Sequence, residues 1–161
     1  MNSERSTLRK YQDDLNVSGT GVIIMGAWSI VRAVIEMFIG TNKMDLDADD
    51  PTDMLISLIV TFLVVSILFS IIMMLHLYIG VNAIRASKGM DHKKGYLKAT
   101  VFFLILSVAS LVLYRDDLQD IKNIDTTIAA ILVDLTTIYI FIIVIVSSLK
   151  IRKIKEKTDR E

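Results

Sequence analysis

The chain has 161 residues, 53% of them hydrophobic, and a mean hydropathy of +0.53. That is too apolar for an ordinary soluble domain of this length. It contains no cysteine, which excludes disulfides, thiolate nucleophiles and Cys-ligated metals, and its 18 basic and 18 acidic residues cancel but are unevenly distributed.

Four apolar stretches, 17–40, 54–80, 96–114 and 126–149, fill most of the sequence. Each approaches or exceeds the ~20 residues that cross a ~30 Å hydrocarbon core as helix. The connections are too short to fold by themselves, so residues 1–161 read as a single domain. The expected fold class is an all-α membrane protein, an antiparallel bundle of four transmembrane helices. Arg5, Arg9 and Lys10 precede an apolar run too long for a signal-peptide core and without a small-x-small cleavage site. The first stretch is therefore expected to be retained as a helix.

In the first helix Gly19, Gly26, Ala33 and Gly40 recur every seven positions, with Ser29 and Glu36 near the same face. Such a stripe lets a neighbouring backbone approach closely, which places this helix at the bundle centre or at a dimer seam. The alternative is that glycine is simply common in membrane helices. The following loop, with Asp45, Asp47, Asp49 and Asp50, imitates the first half of a calcium loop. Asp50 stands where the sharp turn needs glycine, and Ile56 where a bidentate Glu belongs, so an EF-hand is excluded. Clustered carboxylates could hold a divalent ion weakly or remain solvated, and no metal is assigned.

The second apolar run continues through Ile84, which predicts a helix ending near Lys88 and Gly89 with glycine as its cap. Pro51, the single proline, is placed in the preceding loop, and interior glycines are placed in the first helix only. Helices two to four are accordingly expected to be unkinked. His76 falls ~13 Å inward of the centre of helix two, with Tyr78 close by and Tyr96 at a similar level. It reads as an interfacial histidine, or alternatively as a pH-sensitive contact; one histidine cannot form a bis-His haem site. Ser66 and Ser70 lack a nearby base and read as packing residues. His92, in Asp91-His92-Lys93-Lys94, is expected to be solvated.

Helix four carries Asp134, flanked on its own face by Thr127, Ala130 and Thr137. Counted from the centres of their stretches, Arg32 and Asp134 both lie ~5 Å outward of the midplane. Either charge alone costs ~3 kcal/mol near the centre of a bilayer. Glu36 is one turn beyond Arg32, but an Arg-then-Glu pair is the weaker i,i+4 order, so Asp134 should compete for the guanidinium. The intramembrane cluster of Arg32, Glu36 and Asp134 reads as an ionic lock between helices one and four. The alternative is a proton or cation site using Glu36 and Asp134.

Orientation follows from Lys and Arg. Fourteen of them lie in the N-terminus, the second connection and the tail 150–161, against only Lys43, Arg115 and Lys122 in the other two connections. Both termini are expected to be cytoplasmic, with two acidic-tipped hairpins projecting outward.

The segment Leu77-Tyr-Ile-Gly-Val-Asn-Ala-Ile-Arg-Ala-Ser-Lys-Gly89, followed by Gly95-Tyr-Leu, resembles a recurrent feature of small uncharacterised four-helix integral membrane proteins of Gram-positive bacteria. The resemblance covers about twenty residues and implies a cell-membrane location without an activity. The chain carries no HExxH, GxSxG or P-loop and no paired histidines, so no enzyme and no cofactor is expected. The expected partners are the lipid bilayer and further copies of the chain or another membrane protein, not nucleic acid. The leading reading is a non-enzymatic scaffold or accessory subunit, the alternative a small ion- or proton-coupled transporter or channel.

Overall fold

A computed structural model of the chain describes residues 2–40, 51–117 and 124–158. They form four helices: α1 (Asn2–Gly40), α2 (Pro51–Ser87), α3 (Gly95–Asp117) and α4 (Ile124–Thr158). By length and composition all four are able to cross a membrane.

The helices outrun the apolar stretches that announced them. α1 starts at Asn2 instead of residue 17, and α4 runs through the basic segment to Thr158 instead of stopping at 149. Residues 2–18 include Glu, Arg, Leu, Lys and Gln and no glycine or proline; good helix formers continue a helix once it is nucleated. Pro51, expected in a loop, is the first residue of α2, where its missing N–H costs nothing and its fixed φ suits the helix. α2 ends as the sequence predicts. Gly89 has φ +71°, its N–H bonds to Ala86 O at 3.1 Å, and Met90 N–H bonds to Arg85 O at 2.9 Å. That 5→2 and 6→1 pair is a Schellman cap, whose left-handed position favours glycine.

Neighbouring helices run antiparallel. Gly19 meets Gly80 and Ala83, Gly26 meets His76, and Gly21 meets Ile140; Tyr96 reaches Ser148. α1 packs most extensively against α2 and then α4, and α3 packs chiefly against α4. Gly80 corrects the expectation that interior glycines belong to α1 alone. A Cβ on Gly80 would lie 2.6 Å from Gly19 O, and one on Gly19 would lie 3.0 Å from Gly80 O. The two backbones touch there, which only paired small residues permit. Gly19 and Gly26 thus turn the glycine face of α1 toward α2; the side chain of Ala33 and the contacts of Gly40 lie outside the described residues.

The core is concentrated at the end that carries both termini and the α2–α3 turn. Leu15, Val22, Ile79, Ala83, Ala86, Tyr96, Phe141, Val144 and Ile151 are buried there, with Leu8 and Tyr11 packed against them. Leu8, Tyr11, Leu15 and Val22 repeat at three- and four-residue steps, or multiples of them, so one face of α1 is apolar well before residue 17. The N-terminal turns of α1 are held by this stripe.

Candidate functional site

Two polar groupings lie inside the bundle. The first is toward the hairpin end. Arg32 on α1 places Nη1 3.8 Å from Asp134 Oδ1 on α4, with side chains 28% and 19% exposed. Ser110 on α3 lies with Oγ 3.2 Å from Asp134 Oδ2 and 2.8 Å from Ser107 O, so its one hydroxyl proton is shared between them. Three helices thereby meet at one carboxylate. The side chains of Glu36 and Thr127 lie outside the described residues. Thr137 donates to Val133 O in its own helix at 2.9 Å.

Ser110 escaped the sequence reading, yet the depth argument applied to the third stretch finds it. The centre of that stretch is near Ile105, so Ser110 lies ~7 Å from it toward the α3–α4 end, close to the level of Arg32 and Asp134. Polar residues at matching depths were the available signal.

The second grouping is nearer the termini and centres on His76. This residue is 4% exposed. Its ring sits edge-on to Phe103 (4.8 Å between centroids, 65°) and tilted against Phe141 (6.2 Å, 37°). Counting residues along α2 gives depth and says nothing of azimuth; His76 faces Gly26, whose missing side chain is what makes room for it. Its Nδ1 lies 2.9 Å from Ile72 O and donates to that carbonyl, so a neutral ring keeps its lone pair on Nε2. Beyond it Tyr96 donates to Ser148 Oγ at 2.7 Å, Ser148 donates to Val144 O at 2.6 Å, and Thr100 donates to Tyr96 O at 2.8 Å.

Both groupings link or brace helices. Asp134 faces a guanidinium and a hydroxyl, and His76 faces aromatic rings and its own helix. Ser70 donates to Ser66 O at 2.8 Å on an exposed face, so that pair is spent on its own helix. Among the described residues no group of three or more His, Asp or Glu could hold a metal ion, and no fully buried side-chain nitrogen or oxygen lacks a hydrogen-bond partner. The acidic loop around Asp45–Asp50 lies outside the described residues. The sequence matches no family model, no curated protein and no solved structure.

Proposed function

We propose that this is an integral membrane protein with four transmembrane helices and both termini cytoplasmic, acting as a non-enzymatic scaffold or accessory subunit. One observation carries the reading: polar side chains are buried beside the apolar core while a broad apolar surface faces outward. Ser18, His76, Asn82, Thr100, Ser147 and Ser148 are buried, while Leu55, Ile59, Phe62, Leu63, Ile67, Phe102, Ile105 and Leu132 are each more than half exposed. A water-soluble monomer rarely exposes so large an apolar surface; hydrocarbon is the solvent that suits it. The charge asymmetry then sets the orientation.

The scaffold reading is supported by the satisfaction of the buried polar groups. Interior hydroxyls and the Asn82 amide bond mostly to nearby backbone groups, and Tyr96–Ser148 and Ser110–Asp134 cross between helices, which fixes packing and leaves little directed at a substrate. A second reading, ion or proton transport through Asp134 and Glu36, is favoured by the partial exposure of the Arg32–Asp134 pair.

Topology is testable with single cysteines at Ser6, Asp49, Met90, Gln119 and Lys157 and an impermeant thiol reagent applied to intact cells. Only positions 49 and 119 should react; labelling at 90 would invert the orientation. In proteoliposomes carrying a pH gradient, the protein is expected to give no proton flux above that of empty liposomes. A flux abolished by Asp134→Asn would replace the scaffold with the transport reading.

A further inference from the structure

The outer side of α2 carries a groove of about 590 Å³ that neither polar grouping uses. Its wall is one stripe of the helix, Met74, Leu77, Val81 and Arg85, at steps of three and four residues. The stripe changes character along its length. Met74 is 71% exposed, Leu77 and Val81 are partly exposed, and the run ends ~16 Å further along the helix at Arg85. His92 and Lys93, from the α2–α3 turn, close the charged end.

That turn is held in place from several sides. The Schellman cap at Gly89 reverses the chain. Asn82, buried to 7% exposure, accepts from Lys93 N–H at 2.9 Å through Oδ1 and donates to Tyr78 O at 2.7 Å. His92 Nδ1 donates to Met90 O at 3.0 Å, and the ring stands edge-on to Tyr96 at 5.8 Å. The backbone of the charged mouth is therefore set before any ligand arrives, which lowers the entropy lost on binding.

We infer that this groove binds one anionic phospholipid, its phosphate between Arg85 and Lys93 and an acyl chain along Val81, Leu77 and Met74. The inference rests on the membrane reading, since the groove runs from apolar wall to cationic mouth in the direction a lipid takes at the cytoplasmic surface. Asp91 is the one carboxylate in the lining; against Arg85 and Lys93 it leaves a net positive mouth, flanked by the exposed Lys88 and Lys94. An amphiphile with a negative head complements both halves. A free phosphate would leave the apolar wall unused.

The test uses the full-length protein in detergent, with phosphatidylglycerol and phosphatidylcholine of identical acyl chains added in equal amounts and bound lipid read by native mass spectrometry. Phosphatidylglycerol should be retained preferentially. The double variant Arg85→Gln, Lys93→Gln should weaken that retention by about 30-fold. The variant Lys150→Gln, Lys153→Gln removes the same charge from the separate groove between α1 and α4 and should retain the lipid. Equal loss in both would mean diffuse attraction and would overturn the site, as would equal binding of the two lipids. Displacement by inorganic phosphate at equal concentration would assign the groove to a free anion. Alkaline carbonate extraction separates the two claims. Release from membranes would refute the membrane reading itself, whereas a protein that stays in the membrane without preferring the anionic lipid refutes only the site.

Discussion

Gly26→Leu should lower the melting temperature of the detergent-solubilised protein by about 10 °C, taking ~3 kcal/mol for overpacking and a few degrees per kcal/mol in a chain of this size. The first atom added already collides: a Cβ on Gly26 would lie 2.5 Å from His76 Cβ and 2.7 Å from its Cγ. His76 cannot swing away without leaving Phe103 and Phe141, so the helices must separate. The nearby Gly19–Gly80 contact, where backbone meets backbone, would open with them. Gly26→Ala should fall between wild type and leucine. Val31→Leu, at a position 47% exposed, should change the melting temperature by less than the scatter among replicates. Equal tolerance of Gly26→Leu and Val31→Leu would mean that the glycine face of α1 does not pack against α2.

Arg32→Met and Asp134→Leu should each destabilise the protein, and the double variant should recover much of the loss. Removing one member of a buried ion pair typically costs ~3–5 kcal/mol, while replacing both by apolar residues can be nearly neutral. The partial exposure of this pair puts the single losses at the lower end of that range. Asp134 keeps the Ser110 hydroxyl when Arg32 is removed. A thermal double-mutant cycle in detergent gives the coupling energy, expected at ~1–3 kcal/mol. Additive losses would dissolve the pair and point to Glu36 as the acid that Arg32 uses. Asp134 would then be free for the transport chemistry of the second reading.

Much of this architecture is written locally. Four apolar runs mark four helices, each long and apolar enough to cross a membrane. Gly89 marks the end of α2, because glycine most readily takes the left-handed turn of a Schellman cap. Arg32 and Asp134 share a depth because rise per residue is constant, and the structure brings them within 3.8 Å. Counting apolar residues could not find the ends of α1 and α4, since helix propensity continues where hydropathy stops. The first turns of α1 are fixed by Leu8, Tyr11 and Leu15 packing against the core, and the contacts that hold them come from elsewhere in the chain.

Azimuth is what the sequence leaves open. A single membrane helix exposes nearly the same apolarity on every side, so hydropathy cannot tell which face meets a neighbour. Tertiary packing decided it here. Gly26 opens space that His76 fills, Gly80 answers Gly19, and Tyr96 finds Ser148 at a separation of 52 residues. Those choices depend on shape and hydrogen bonding between helices, which act over a few ångströms and exist only once the helices are side by side. Sequence therefore determined the number, extent in the apolar region and relative depth of the elements; the assembled bundle determined which polar residues are hidden and what they touch.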